Sequence, residues 1–128
     1  MRLMICGIRL SMQLRDLVEA IVGGDLLAAR QWVADAKREQ LRWGTLPRPR
    51  DLTGREMAVA AGMVELLAHR AGEAPPAWTE AVGPEREPVL LDPGLDQMPR
   101  SFARARTSGP EPLRKRNLLA LPDFLDVA

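Results

Sequence analysis

The sequence predicts a mainly α protein, with a small helical body of about three helices followed by a Pro-rich arm of short helical or extended segments. Two observations lead to this fold class. Apolar residues recur at helical spacing in the first half of the chain, whereas nine of the 11 prolines lie after Gly72 and keep the later segments short. We expect residues 1–12 to be a leader outside the fold, residues 13–83 to form the body and residues 84–128 to form the arm.

The first two helices are predicted from apolar spacing and from their ends. The first has apolar residues at i, i+3, i+4 and i+7, namely Leu14, Leu17, Val18 and Ile21, and it ends at Gly23 and Gly24. Asp25 is the expected N-cap of a second helix over residues 26–42. Its inward positions are Leu26, Ala29, Val33 and Ala36.

The third helix has the clearest start signal. Thr53 and Glu56 have capping-box spacing, and Leu52 and Met57 have the spacing of a hydrophobic staple. The helix is predicted to end at Gly72. One apolar stripe follows the helical period: Met57, Ala60, Ala61, Val64, Leu67, Ala68 and Ala71. Its small residues, with Gly62, predict the close approach of another helix.

The same region permits a second interpretation, a helix-turn-helix over residues 54–71 that breaks at Gly62. Residues 64–71 would then be the recognition helix. That segment contains no Asn, Gln or Ser, so it is poorly suited to reading base edges. A continuous helix through Gly62 costs only about 1 kcal/mol relative to alanine, and we favour it.

The second half has shorter signals. Pro75 and Pro76 can open one or two turns over residues 77–82, and Val89–Leu91 can form a short strand that needs a partner edge. Pro99 can start a helix that runs to about Arg106, because proline is favoured at the first helical position. Residues 107–112 are expected to be a linker.

Composition and chemistry argue against an enzyme. Apolar residues make up 46% of the chain, so it is not compositionally disordered, and it has no run of the roughly 18 apolar residues that a transmembrane helix needs. The single cysteine, Cys6, excludes an internal disulfide and predicts a reducing cytoplasm. His69 is the only histidine and is expected to be structural or solvent-facing, while Glu56 and Glu65 are expected to be a cap and a surface carboxylate. We therefore expect no catalytic residues, cofactor or metal.

Three tryptophans are the largest side chains available for a core. Trp32, Trp43 and Trp78 can stack bases, but with an aromatic content of 4% they are better explained as core fillers. Trp78 is expected to anchor the second half of the chain onto the third helix.

The arm carries a basic island and an apolar terminus. From residue 98 to residue 116 the charged residues are Glu111 and six cations, namely Arg100, Arg104, Arg106, Arg114, Lys115 and Arg116. The terminus is either folded back or covered by a partner, and we expect a partner. Arg114, Lys115 and Arg116 would face acidic groups of that partner, and four apolar residues would fill its pockets: Leu118, Leu119, Phe124 and Leu125.

Several stretches resemble a family of small, poorly characterised bacterial proteins encoded beside nucleotidyltransferase-like toxins. The similar stretches are residues 58–72, 75–79, 110–117 and 124–125, so the resemblance covers about residues 55–127. It implies an antitoxin-like protein with no catalytic residues of its own. Some longer relatives place a similar stretch after a helix-turn-helix domain.

The resulting hypothesis is a cytoplasmic, non-catalytic interaction module. It would be the antitoxin-like partner that binds and neutralises a toxin enzyme, without membrane contact, and the resemblance implies a nucleotidyltransferase-like toxin. The alternative is a nucleic-acid-binding transcriptional regulator that uses residues 54–71 and the basic island from residue 98 to residue 116.

Overall fold

A computed structural model describes residues 14–127 of the chain. The predicted leader, residues 1–12, and Cys6 lie outside the described residues. The helices are α1 (14–22), α2 (Leu26–Arg38), α3 (Gly54–Arg70), α4 (Pro99–Ser108) and α5 (Glu111–Arg114). The strands are β1 (Val89–Leu90) and β2 (Leu118–Leu119), and 3-10 turns span Trp43–Thr45, Ala77–Ala81 and Leu95–Gln97. The predicted mainly α class is confirmed, and no helix in the described part is long and apolar enough to cross a membrane.

Helix α3 is the centre of the fold. Every residue from 57 to 68 is buried, so the single stripe predicted from the helical period was too narrow. A helix that is apolar on all sides is covered on all sides. The residues around α3 belong to one hydrophobic cluster that includes the inner faces of α1 and α2, the loop at Trp43, and residues of the arm.

The first two helices form largely as predicted. The four residues of α1 that were predicted to face inward are buried, and the Asp25 side chain accepts a hydrogen bond from the Ala28 amide at 3.1 Å, which confirms the cap. Helix α2 ends at Arg38, before the predicted Arg42. Gln40 adopts a left-handed φ of 55°, and the Leu41 amide donates to the Ala36 carbonyl at 3.0 Å, closing a Schellman motif. Because glycine is the usual residue at that position, the sequence does not reveal this end.

The start of α3 differs from the predicted capping box. Thr53 makes no side-chain cap bond, and Gly54 has a φ of 57°, which is incompatible with a regular first helical turn after Thr53. Leu52 and Met57 are both buried in the core. The predicted end is confirmed, because Gly72 is left-handed and the Glu73 amide donates to the Ala68 carbonyl at 2.8 Å.

Helix α3 runs unbroken through Gly62, so the helix-turn-helix interpretation of residues 54–71 is wrong. Residues 64–68 of its proposed recognition segment are buried rather than available to a DNA groove. A Cβ atom on Gly62 would lie 2.8 Å from Leu113 Cδ2 and 3.1 Å from Leu118 Cδ1. The predicted close approach therefore exists, and the approaching elements are α5 and β2 from the arm.

The arm supplies the partner edge that the predicted short strand needs. Strand β1 pairs in parallel with β2, in the register Val89 to Leu118 and Leu90 to Leu119. Residues 107–112 are not a linker, since α4 continues to Ser108 and α5 begins at Glu111. Gly109 makes this sharp connection possible, because a Cβ atom there would lie 2.5 Å from the Ala105 carbonyl oxygen.

The expectation that a partner covers the apolar terminus is also wrong. Four of the predicted partner-binding residues are buried by the chain itself: Leu118, Leu119, Phe124 and Leu125. Leu118, Phe124 and Leu125 belong to the main core, and Leu119 packs with Leu95 and Ala105 in a small second cluster under α4. The body and the arm thus share a hydrophobic core. The physical reason is the small-residue surface of α3, which lets the arm approach closely.

Candidate functional site

A buried ion pair joins the arm to the central helix. The Arg116 guanidinium binds both carboxylate oxygens of Glu65, with Nη1–Oε1 at 2.7 Å and Nη2–Oε2 at 2.9 Å. Glu65 is only 7% exposed and Arg116 only 2% exposed. We call Glu65, Lys115 and Arg116 the clasp.

Arg116 uses all five of its N–H donors. Besides the two bonds to Glu65, Nη1 donates to the Pro112 carbonyl at 3.0 Å, Nη2 to the Thr79 carbonyl at 2.7 Å and Nε to the Val82 carbonyl at 3.2 Å. A buried charge is tolerated only when it is paired and its donors are satisfied. The clasp therefore ties together α3, the turn that follows Pro76 and the arm.

Lys115 adds a second cation at the rim of the clasp. Its Nζ lies 2.9 Å from Glu65 Oε1, and its side chain is 49% exposed. Burial alone would raise the pKa of Glu65, but the hydrogen bonds from Arg116 and Lys115 outweigh it and lower that pKa to about 2. Glu65 is therefore ionised at neutral pH, where it serves as a structural anion and is poorly matched to proton transfer.

The clasp corrects two predictions. Glu65 was expected to be a surface carboxylate and Arg116 to face a partner, yet each is buried against the other. One signal in the sequence points to the clasp. Glu65 is the only ionisable residue from 57 to 68, a stretch that is otherwise apolar or glycine. A carboxylate at the centre of such a helix needs an internal cation.

Another arginine, Arg70 at the end of α3, holds the last described residues of the chain through hydrogen bonds. Arg70 donates from Nη1 to the Phe124 carbonyl at 2.7 Å and from Nη2 to the Pro122 carbonyl at 3.4 Å. Asp92 supports the same segment, since its Oδ2 accepts from the Leu121 amide at 2.8 Å. These bonds explain how Phe124 and Leu125 are held in the core.

The other cations of the basic island lie at the surface. Arg114 and Lys115 are exposed, and Arg114 Nε donates to the Gly109 carbonyl at 3.1 Å. On α4, Arg100, Arg104 and Arg106 are exposed. In the described part of the chain none of these three forms a salt bridge.

An open cleft of about 530 Å³ lies beside the clasp, between the end of α3, the turn at Ala77–Ala81 and α5. His69 lines this cleft and is exposed. Of the two predicted environments, structural or solvent-facing, the second is therefore the one observed. The charged residues that line the cleft are Glu65, Arg70, Glu73, Glu80, Glu111 and Lys115. Within residues 14–127 no group of three or more His, Cys, Asp or Glu side chains is placed to hold a metal ion.

The tryptophans are core residues, as predicted. Trp43 is buried, and half-buried Trp32 packs on it with ring centroids 6.0 Å apart. Trp78 is half-buried against the same core. Its Nε1 donates to the Leu46 carbonyl at 2.8 Å, so Trp78 also anchors its turn to the loop after Trp43.

No protein-family model, curated protein or solved structure matches this chain. The resemblance to antitoxin-like proteins therefore stays a prediction.

We predict that Glu65→Gln lowers the free energy of unfolding by about 3–5 kcal/mol, because it leaves Arg116 buried without a counter-charge. Chemical denaturation monitored by circular dichroism measures the change. Glu80→Gln, at an exposed glutamate, is the matched control and should change stability by less than about 0.5 kcal/mol. The double variant Glu65→Met with Arg116→Met should recover much of the loss, because it removes both charges. Equal stability of Glu65→Gln and the control would contradict this role.

The clasp also predicts a pH dependence. The folded-state pKa of Glu65 is about 2, below its ordinary value of 4.5, so folding favours the ionised form. The stability that this group contributes is complete above about pH 4.5 and is lost as the pH falls toward about 2. Denaturation at a series of pH values should show a steeper loss in this window for the wild-type chain than for Glu65→Gln. Parallel curves for the two proteins would show that Glu65 does not titrate as described.

Proposed function

We propose that this protein is a non-catalytic protein–protein interaction module, an antitoxin-like partner that binds and neutralises a toxin enzyme. The supporting observation is that the clasp holds the arm on the core while Arg114 and Lys115 remain exposed at its surface. A surface fixed in this way loses little conformational entropy when a partner binds. The sequence resemblance makes a nucleotidyltransferase-like toxin the first class of partner to test.

The structure changes how the arm would act. The sequence suggested an apolar terminus that inserts into pockets of the partner, but those side chains are internal. Recognition would instead use the outer, basic side of the arm against acidic groups of the toxin. Such charges contribute mainly to the association rate and to specificity.

The alternative function, a transcriptional regulator, loses its reading element because residues 64–68 of the supposed recognition helix are buried. The exposed arginines still permit weak, salt-sensitive contacts with phosphates. Nanomolar binding to the protein's own promoter at physiological salt would favour the regulator over the interaction module.

Co-expression with the product of the neighbouring gene tests the proposal. We expect a complex that survives purification, and relief of any toxicity of that product. Arg114→Glu should slow association and reduce its salt dependence, because it reverses an exposed charge of the arm. The matched control is Arg55→Glu, at an exposed arginine in the first turn of α3. Failure of the wild-type chain to bind or neutralise that product would overturn the proposal.

A further inference from the structure

Helix α4 carries a concentrated charge that lies outside the predicted partner-binding residues. Its ten residues include Arg100, Arg104 and Arg106 and no acidic residue. Arg100 and Arg104 are both exposed, and their i, i+4 spacing places them on the same face of the helix. In the described part of the chain neither forms a salt bridge. This pair is therefore available to a ligand.

Arg106 differs from that pair. Its guanidinium carbon lies 6.0 Å from the centre of the Phe102 ring, within the range of a cation–π contact. Phe102 in turn packs on the small cluster of Leu95, Ala105 and Leu119. Phe102 thus helps to hold α4 against the turn at Leu95 and strand β2, with Arg106 over its ring, while Arg100 and Arg104 project from a fixed helix.

Exposed acidic residues flank this basic helix along the chain. Asp96 lies in the turn that precedes α4 and Glu111 begins α5, and both are exposed. A ten-residue helix is about 15 Å long. A DNA duplex carries a negative charge about every 1.7 Å along its axis, so a duplex longer than the helix would extend past the arginines, toward segments that carry exposed carboxylates. A discrete patch of carboxylates about the length of the helix would match the arginines without extending past them.

The chemistry of the face also suits a protein. The arginine fork matches the geometry of a carboxylate and binds it through two parallel hydrogen bonds. Met98, at the N-cap of α4, is 43% exposed and offers an adaptable apolar contact next to the arginines.

We propose that Arg100 and Arg104 form a docking face for a carboxylate-rich protein surface about the length of one short helix. This inference rests on the proposed function, since it names the chemistry of the partner. Its position is separate from the clasp, so changes to the face leave the core intact.

The test measures binding of the full chain to two probes, poly-L-glutamate and a DNA duplex of matched total charge, at several salt concentrations. The variant is Arg100→Glu with Arg104→Glu. The matched control is Arg55→Glu with Arg86→Glu, which changes net charge equally at two other exposed arginines. We expect the wild-type chain to prefer poly-L-glutamate, the variant to bind it at least about tenfold more weakly and the control to bind within about twofold of wild type.

Melting temperatures establish that both double variants are folded, and Arg100→Gln with Arg104→Gln replaces the charge reversal if it is not. Equal weakening in variant and control would overturn the inference, because net charge alone would explain binding. Tighter binding of the duplex would also overturn it and assign the face to nucleic acid.

The docking face and the proposed function can be refuted independently of each other. If the α4 variant loses poly-L-glutamate binding but the wild-type chain forms no complex with the neighbouring gene product, the docking face is supported and the proposed function fails. If the complex forms equally well with the α4 variant, the proposed function is supported and the docking face is overturned.

Discussion

The Glu65–Arg116 ion pair is the constraint on which the rest of the structure depends. Removing two charges from water costs several kcal/mol per ion, and only close geometry with complete hydrogen bonding offsets that cost. Here the pair is bidentate, and the other donors of Arg116 reach carbonyls of Pro112, Thr79 and Val82. Moving the arm away from α3 would leave both charges without their partner, so the pair favours this position of the arm.

The position selected by the clasp explains the surrounding packing. With Arg116 fixed, Leu113 and Leu118 on either side of it lie over Gly62, where a larger residue would collide with them. Strand β2 can then pair with β1, and α4 packs on β2 through Leu119. The cations that this arrangement leaves outside form the proposed recognition surface. In the basic island, Arg116 therefore acts in the core and Arg114 at the surface, while Lys115 pairs with Glu65 and is also exposed.

The local signals in the sequence predicted the helices well and the arm poorly. Periodicity located α1, α2 and α3, and Asp25, Gly72 and Pro99 marked helix ends because their backbone chemistry is local. The end of α2 was missed because Gln40 takes the left-handed position that glycine usually occupies. Arg116 is buried because it pairs with Glu65, which lies 51 positions earlier in the chain. Charge pattern alone could not distinguish that buried cation from exposed Arg114.

The most direct test of this account is the folding of a chain that ends at Ser108. Such a chain would leave Glu65 without Lys115 and Arg116 and would expose the face of α3 that the arm covers, so we expect loss of the cooperative melting transition seen by circular dichroism. Adding a peptide of residues 109–128 should restore helical signal, and the same peptide with Arg116→Glu should not. A truncated chain that melts cooperatively near the temperature of the full chain would show that the fold does not depend on the clasp.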